Sequence, residues 1–522
     1  MNLSFFRDLW DFFIQNGKKI AEQSLVHTGL TFFSLFLSIL VAIPLGIYLA
    51  RHPKWANLII GFTGVLQTIP SIALLGLMIP VLGIGIKPAI FSLFIYALLP
   101  ILRNTYTGIT GVDASVKEAA LAMGMKPLQI LWRVEIPLAM PVIMAGIRTA
   151  TVINVGVATL AAYIGAGGLG EFIFGGISLN NPVMMVGGAA PTAGLAILLD
   201  FLLSRVQNFH FRGTASRVFL VGILFLLSSF YFIPKIGETK LFAGLTPEFF
   251  GRKDGYQGLQ SVYHLKMSHV IISDAIMYAA MRDGDLDIVS GYSTDGRIQA
   301  YDLVNLWDDK QVFPPYQAAL LVRKGVLQKY PELEGVLNLL AGKINDSLMT
   351  QMNYQVDFKK RNPDQVAKDF LLKNGLYREY KGIKKGKLVM GSKIFSEQYI
   401  LSALYRYLIN GYTSLELITK TGLGGTQVCF GALENGQIDF YPEYSGTGLL
   451  VILKPTEKIS DSVSKSPEKL YAYIEGEFQK KYGLKWLKPL GFNNAYSLIM
   501  RRKQAEKEKI KSISDLSAYL LH

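Results

Sequence analysis

The sequence predicts an α-helical membrane domain followed by an α/β domain of two lobes, and three observations support this fold class. The chain has 522 residues, half of them hydrophobic and only 18% charged, which is unusual for a soluble protein. The apolar excess is concentrated in residues 27–234, whereas residues 235–522 are richer in charged and aromatic side chains. The later region also alternates short apolar runs with helical patterns, as β-α units do. We therefore expect two domains, the first in the lipid bilayer and the second in water.

Six apolar segments in the first region are candidates for membrane spans. A bilayer core of about 30 Å requires roughly 20 apolar residues in a helix. The candidates lie at about 27–50, 57–81, 86–102, 138–165, 183–203 and 217–234. We therefore assign residues 1–216 to a transmembrane domain, 217–240 to the last transmembrane helix and a tether, and 241–522 to the two α/β lobes.

The distribution of Lys and Arg predicts the orientation of these spans. Basic residues occur in the loops at 51–56, 103–135 and 204–216, whereas the loops at 82–85 and 166–182 contain no Lys or Arg. Basic loops are enriched on the cytoplasmic side of membrane proteins. We therefore expect a multi-pass protein with the first set of loops in the cytoplasm and the region after 234 outside. Arg148, inside a predicted span, either snorkels to a helix end or lines a polar path.

The composition excludes several classes of function. The net charge of +14 does not indicate a nucleic-acid partner, because the basic residues separate hydrophobic spans instead of gathering on one face. Cys429 is the single cysteine, so no disulfide forms within the chain. The six histidines form no cluster with metal-ligand spacing, and no nucleophile–histidine arrangement is present. The sequence also lacks a Gly-x-x-x-x-Gly-Lys-Ser/Thr phosphate-binding loop. We expect no catalysis, no bound cofactor and no metal.

A short motif lies in the basic loop between the third and fourth predicted spans. It consists of Glu118-Ala119-Ala120, then Gly124 four residues after the second alanine, then Ile136-Pro137 about a dozen residues later. This pattern resembles the coupling-helix signature of ABC-importer permeases. The resemblance implies a type I permease fold, a short helix that fits a cleft on a separate cytoplasmic ATPase subunit, and two permease copies that pair in the bilayer. ATP would then be used by that partner.

Further segments resemble one uptake family along most of the chain. The small-residue stretch 161–170 is similar to permeases of the glycine betaine/choline uptake family. Segments of the second region resemble the substrate-binding proteins of that family, namely 391–398, 424–427, 439–447, 491–496, 290–297 and 313–316. The resemblance implies a periplasmic-binding-protein-like domain on the outer side of a bacterial inner (plasma) membrane.

Four tyrosines in these segments are candidates for a binding site. Tyr441, Tyr496, Tyr292 and Tyr316 each follow or begin a predicted strand, although any single one is more often an ordinary core or surface residue. Four aromatic rings can enclose a quaternary ammonium group, with about 0.5–2 kcal/mol for each favourable cation–π contact. The polar end of the solute would be held by Gln398, Ser445, Asn493 and Thr294. The resemblance suggests glycine betaine, choline, carnitine or ergothioneine as the solute.

The order of the motifs departs from that family. In its binding proteins the Gly-Ser-Lys segment comes first, whereas here the segments at 245–249 and 293–296 precede Gly391. We interpret this as a circular permutation with the new ends inside one lobe, joined through the polar stretch 380–385. Permutation is tolerated at exposed sites. An alternative function is a ligand-gated membrane sensor for the same solutes, but the longest predicted cytoplasmic loop is the coupling motif itself.

Overall fold

A computed structural model describes residues 3–179, 181–208, 241–380 and 382–521. The chain divides into two compact units, one formed mainly by residues before 241 and the other mainly by residues 281–522. We call the first the helical unit and the second the α/β unit.

The helical unit consists of nine described helices. These are α1 Leu3–Arg51, α2 Pro53–Thr68, α3 Ser71–Leu82, α4 Ile86–Thr110, α5 Ala114–Ala122, α6 Pro127–Ile130, α7 Ile136–Ala161, α8 Gly170–Ser178 and α9 Pro182–Asn208. A π-helical segment, Leu131–Glu135, joins α6 to α7, and a 3₁₀ turn, Ala162–Ile164, follows α7.

Four described helical stretches are long and apolar enough to cross a membrane, and a fifth span results if one bent pair is counted. The four are Phe5–Arg51, Ile86–Thr110, Pro127–Ile164 and Pro182–Arg205. The predicted second span, 57–81, is instead the pair α2 and α3, which meet at 95°. The bend follows from Pro70, because the residue before a proline is disfavoured in the α conformation and Ile69 is extended. The predicted span 217–234 lies outside the described residues. The described residues therefore contain four or five candidate spans, whereas about six were expected for the whole domain.

Helices α1, α4 and α7 form the apolar centre of the helical unit. Their buried residues include Leu35, Ala97 and Ile143. Two glycines permit the close approach of these helices. A Cβ on Gly46 would lie 2.7 Å from the Cβ of Thr105, and one on Gly146 would lie 2.6 Å from that of Asn104. Small residues at such crossings are how helices pack in lipid, where no hydrophobic force draws them together.

The α/β unit contains two five-stranded sheets. Its strands are β1 Phe242–Leu245, β2 Ser268–Ile271, β3 Ile288–Tyr292, β4 Leu303–Asn305, β5 Ala318–Arg323, β6 Gly386–Lys393, β7 Leu415–Gly424, β8 Phe440–Tyr444, β9 Leu484–Trp486 and β10 Tyr496–Arg501. The first sheet has the order β2-β1-β3-β10-β4, and the second has the order β7-β6-β8-β5-β9. We call them the sheets of the first and second lobe.

Helices flank both sheets. They are α10 Pro247–Gly251, α11 Tyr256–Tyr263, α12 Asp274–Asp283, α13 Gly296–Ala300, α14 Lys324–Lys329, α15 Leu333–Leu337, α16 Asp346–Asp357, α17 Pro363–Lys373, α18 Ser396–Tyr412, α19 Thr426–Glu434, α20 Ser445–Thr447, α21 Glu457–Val463, α22 Pro467–Tyr482, α23 Arg502–Lys507 and α24 Ile513–Leu521. A π-helical segment, Gly448–Leu453, continues α20.

Two segments cross between the lobes, and they explain why both sheets contain antiparallel as well as parallel strand pairs. Residues 306–317 lead from β4 to β5, and residues 487–495 lead from β9 to β10. Each crossing delivers a strand in the opposite direction, so β10 is antiparallel to β3 and β5 is antiparallel to β8. The crossings also pair with each other at Gln317 and Asn493. As a result, the first lobe is built from two stretches of chain that are remote in sequence.

Candidate functional site

Three of the four predicted tyrosines lie together where the crossing segments enter the lobes. Tyr292 ends β3 and Tyr496 begins β10, and these residues are direct cross-strand partners. Their rings stack with centroids 5.2 Å apart, and the ring of Tyr316 meets Tyr496 edge to face at 5.7 Å. Aromatic neighbours on paired strands stabilise a sheet and favour these geometries. We call Tyr292, Tyr316 and Tyr496 the tyrosine cluster.

Tyr316 is positioned by its neighbours in the crossing segments. Its backbone N–H donates to Oδ1 of Asn493 at 2.6 Å. Its ring lies against the backbone of Gly446, where a Cβ would come within 2.8 Å of the ring. Only glycine therefore allows the ring to lie so close to α20.

A buried ion pair adjoins the tyrosine cluster. Nε and Nη2 of Arg252 donate to the two carboxylate oxygens of Asp254 at 2.8 and 2.7 Å. Nη2 of Arg252 also lies 2.8 Å from the Tyr316 hydroxyl, which donates to Asp254. The guanidinium centre is 5.3 Å from the centroid of the Tyr496 ring. The sequence analysis missed this pair, because nothing in the spacing of residues 252–254 shows that they meet Tyr316 and Tyr496.

The structure does not bring Tyr441, the fourth predicted tyrosine, together with the tyrosine cluster. Tyr441 is fully buried in the core of the second lobe, beside Leu321 and Cys429, and its hydroxyl donates to Oε2 of Glu443 at 3.0 Å. Successive side chains of a strand point to opposite faces. In β8, Tyr441 and Glu443 therefore share one face and Tyr444 lies on the other.

Tyr444 lies on the opposite face of β8 from Tyr441. Its hydroxyl donates to Oε1 of Glu397 at 2.5 Å, and its ring stacks on that of Phe395 with centroids 6.3 Å apart. The ammonium group of Lys393 lies 5.1 Å from the centroid of the Tyr444 ring and donates to Oε1 of Glu443 at 2.5 Å. Burial raises the pKa of the Tyr444 hydroxyl well above its ordinary value. The hydroxyl therefore remains a donor at neutral pH.

Thr294 bonds to a protein carboxylate that connects the lobes. Its hydroxyl donates to Oε2 of Glu397 at 2.8 Å. Glu397 also accepts from Nδ2 of Asn353 at 3.1 Å and from Nδ2 of Asn494 at 3.0 Å, besides Tyr444. Thr294 belongs to the first lobe and Glu397 to α18 of the second. Burial raises the pKa of Glu397, and the four hydrogen bonds oppose this effect.

The other three predicted polar residues also bind protein groups. Nε2 of Gln398 donates to the carbonyl oxygen of Pro442 at 3.2 Å. The hydroxyl of Ser445 donates to the carbonyl oxygen of Pro315 at 2.8 Å, and Asn493 holds Tyr316 as described above. Ser445 and Asn493 therefore position the crossing segments in this structure. Among the residues that the structure describes, no group of three or more His, Cys, Asp or Glu side chains is arranged to hold a metal.

The coupling motif forms a short capped helix, α5. Asp113 caps its first turn, with Oδ1 accepting from the N–H of Ser115 at 2.9 Å. Gly124 follows its end with a positive φ of 79°, and the N–H of Met125 reaches back to the carbonyl oxygen of Ala120 at 3.2 Å. A glycine in this conformation after a helix is the usual C-terminal cap.

The members of the coupling motif face in different directions. Ala120 and Ile136 are buried in the helical unit. Glu118 and Ala119 are exposed on α5, and Pro137 is exposed in the first turn of α7. The motif thus has an inner side that fixes α5 to the helical unit and an outer side that is accessible.

Comparison with known proteins assigns both units to families. Residues 42–216 match the family of binding-protein-dependent transport system inner membrane components. Residues 235–373 and 386–521 match the family described as the substrate-binding domain of the ABC-type glycine betaine transport system. Together these matches cover most of the chain and both units.

Individual relatives match either the permease part alone or both parts of the chain. The chain is 50% identical over 196 residues to the carnitine transport permease protein OpuCB of Listeria monocytogenes, covering 38% of this chain and 90% of that protein. It is 48% identical over 193 residues to the choline transport system permease protein OpuBB of Bacillus subtilis, covering 37% of this chain and 89% of that protein. The ergothioneine transport permease/ergothioneine binding protein EgtU of Helicobacter pylori is 27% identical over 486 residues, covering 65% of this chain and 88% of that protein. The chain therefore belongs to the ABC importers of the glycine betaine transport family, as a membrane permease joined to a substrate-binding domain.

Proposed function

We propose that this chain imports zwitterionic solutes that carry both a methylated ammonium group and a carboxylate. The observation that carries the proposal is the Arg252–Asp254 pair, which lies against the tyrosine cluster. Glycine betaine, carnitine and ergothioneine have both charged groups, whereas choline has only the ammonium group. Of the similar proteins named above, one is named for carnitine transport, one for choline transport and one for the transport and binding of ergothioneine.

The charges around the tyrosine cluster favour a zwitterion over a simple cation. Methylated ammonium groups bind aromatic ring faces by cation–π attraction, and the ring of Tyr496 already has a guanidinium group over it. A zwitterion supplies a carboxylate for Arg252 and a cation for the rings and Asp254. A cation alone that took Asp254 from Arg252 would leave the buried guanidinium group without a carboxylate partner, which is strongly unfavourable.

We propose Tyr444 as the fourth ring of the site, in place of Tyr441. Tyr444 lies three residues after Tyr441 on the opposite face of β8, and α20, which holds Gly446 against Tyr316, follows it directly. Its hydroxyl is bound to Glu397, which also binds Thr294 and Asn494. These contacts connect Tyr444 to the residues that follow Tyr292 and precede Tyr496.

We also propose that α5 docks on a separate ATPase subunit in the cytoplasm. Glu118 and Ala119 point outward, and the surrounding segment exposes large apolar side chains, namely Leu121, Met123, Leu128 and Trp132. Exposed apolar patches of this kind mark sites of protein–protein contact. ATP would then be bound and hydrolysed by the partner, and this chain would bind no cofactor of its own.

We propose an assembly of two copies of this chain. Two copies would pair in the bacterial plasma membrane, with residues 1–216 as the transmembrane domain, 217–240 as the last helix and tether, and 241–522 outside. The support is the asymmetry of Lys and Arg between the loops. Labelling of a single cysteine introduced at exposed Lys253, compared with one at exposed Glu118, tests the sidedness in intact cells.

Calorimetric titration of the purified full-length protein tests the solute class. Glycine betaine, carnitine, ergothioneine and choline would each be titrated at the same ionic strength. We expect at least one carboxylate-bearing solute to bind about tenfold or more tightly than choline, because a charge-assisted hydrogen bond contributes about 1.5–3 kcal/mol. Equal or tighter binding of choline would refute the zwitterion proposal. Absence of binding by all four would refute the methylated-ammonium proposal.

A further inference from the structure

One buried carboxylate joins three elements around the coupling helix. Glu135 is the last residue of the π-helical segment and directly precedes α7. Its side chain is 1% exposed, and it forms ion pairs with Arg51, the last residue of α1, and with Lys117 on α5. Glu135 therefore connects the end of α1, the start of α7 and the helix that carries the coupling motif.

The Arg51–Glu135 pair has a shorter nitrogen–oxygen distance than the Lys117–Glu135 pair. Arg51 directly contacts Oε2 of Glu135. Nζ of Lys117 lies 3.5 Å from Oε1, and it also donates to the carbonyl oxygen of Ile109 at 3.3 Å. Within the part of the chain that the structure describes, Oε1 of Glu135 accepts no hydrogen bond although it is buried. Lys117 is thus shared between two acceptors and is fully engaged with neither.

This arrangement responds to small movements of α5. A buried acceptor without a hydrogen bond is unfavourable, so a displacement of α5 that brings Lys117 closer to Oε1 lowers the energy of the pair. The opposite displacement leaves the Glu135 carboxylate with Arg51 alone. Packed elements of this kind tend to have two discrete arrangements instead of deforming continuously. The position of α5 therefore determines the strength of the Lys117–Glu135 pair, which connects α5 to the start of α7 and, through Arg51, to the end of α1.

We propose that Glu135 is a positioning residue that transmits displacement of the coupling helix α5 to α1 and α7. The inference rests on the proposed function, because it requires an ATPase subunit that moves α5. When the partner displaces α5, the Lys117–Glu135 pair draws the start of α7 along, and the Arg51–Glu135 pair draws the end of α1. Both helices belong to the apolar centre of the helical unit, so movement of α5 reaches the membrane-spanning helices.

The test measures solute uptake per ATP hydrolysed. The full-length protein is purified with its ATPase subunit and reconstituted in lipid vesicles, and uptake of radiolabelled glycine betaine, carnitine or ergothioneine is measured, as chosen by the titration above. We compare Glu135→Gln, Lys117→Met and the double variant with Glu22→Gln, which makes the same chemical change at an exposed position of α1. We expect Glu135→Gln and Lys117→Met each to lower the ratio of uptake to hydrolysis at least about threefold. Glu22→Gln should leave it unchanged.

The double variant distinguishes transmission from a merely structural role. If both residues act through one contact, the double variant should lower the ratio no further than either single change. Solute affinity, measured on the same samples, should remain that of the wild type in all variants. The side chain of Lys117 is partly exposed, so Lys117→Met should fold even if Glu135→Gln fails to assemble. If Lys117→Met keeps the wild-type ratio of uptake to hydrolysis, the inference is overturned. If the wild-type protein itself shows no solute-dependent ATP hydrolysis, the proposed function fails and the inference falls with it.

Discussion

Tyr292 and Tyr496 are direct partners on the antiparallel strands β3 and β10, and their rings stack 5.2 Å apart. This pairing sets two rings side by side at the point where the second crossing segment enters the first lobe. The ring of Tyr496 additionally contacts Phe249, Phe313 and Tyr316. Tyr496 is therefore the centre of the aromatic site.

Removing the Tyr496 ring should strongly weaken solute binding. We expect Tyr496→Ala to weaken the binding of the preferred solute at least about thirtyfold, since it removes a cation–π contact worth about 2 kcal/mol at a desolvated site and loosens its neighbours. Truncation of a buried aromatic side chain should also lower the free energy of unfolding by about 3–5 kcal/mol. Calorimetric titration of the full-length protein measures the first effect and thermal unfolding the second. Tyr496→Phe keeps the ring and should bind within about threefold of the wild type; a loss as large as that of alanine would exclude the cation–π role.

The two tyrosines of β8 should respond differently to substitution. Tyr441→Phe removes only the donor to Glu443 in the core of the second lobe, so it should lower the free energy of unfolding by about 1–3 kcal/mol and leave the solute Kd unchanged. Tyr444→Ala removes a ring that faces Glu397 and should weaken binding at least about tenfold. Titration and thermal unfolding of the two variants measure both effects. Unchanged binding in Tyr444→Ala would contradict the assignment of Tyr444 to the site.

Arg252 should determine the preference for carboxylate-bearing solutes. Arg252→Lys keeps the positive charge but loses the planar fork that binds carboxylates through two hydrogen bonds. We expect binding of glycine betaine, carnitine or ergothioneine to weaken about tenfold and binding of choline to change little, as measured by titration. The matched control is Arg282→Lys, which alters a similar bidentate pair with Asp283 on the surface. Equal weakening of choline and the zwitterions would mean that Arg252 only maintains the fold.

Glu397 should contribute a pH dependence to stability. Burial raises its pKa above the ordinary value of 4.5, so the folded protein holds this proton more tightly than the unfolded chain. The contribution of Glu397 is therefore most favourable below pH 4.5 and is lost as the pH rises through the raised pKa of the folded state. Thermal unfolding of the wild type and of Glu397→Gln, measured from below pH 4.5 to above the raised pKa of the folded state, tests this dependence. The Tm difference between the two should change with pH in this direction; a constant difference would contradict it.

Local patterns in the sequence were sufficient to predict the two-part architecture and to identify the coupling motif. Apolar segments of bilayer length marked most spans, because lipid leaves no alternative to a continuous helix. Their ends were less predictable, since α1 begins at Leu3 and not near residue 27. Pro70 indicates locally that the helix breaks between α2 and α3, but the angle of 95° depends on packing.

The candidate site was only partly predictable. Motif segments singled out Tyr292, Tyr316 and Tyr496, whose rings lie together in the structure, because aromatic residues at strand ends are a local feature of sequence. They did not show whether Tyr441 or Tyr444 faces the site, because this depends on the register of β8 between β5 and β6. A strand that is buried on both faces lacks the alternation of polar and apolar residues that would reveal which side chains share a face.

The charged groups of the site depend wholly on the tertiary structure. Thr294 and Glu397 lie 103 residues apart in the chain and form a hydrogen bond of 2.8 Å, and Arg252 reaches Tyr316 across 64 residues. Composition and periodicity carry information about neighbours along the chain and about burial. Contacts between buried polar groups of different elements arise only when packing brings those elements together, since each group must find its partner in three dimensions once water is removed.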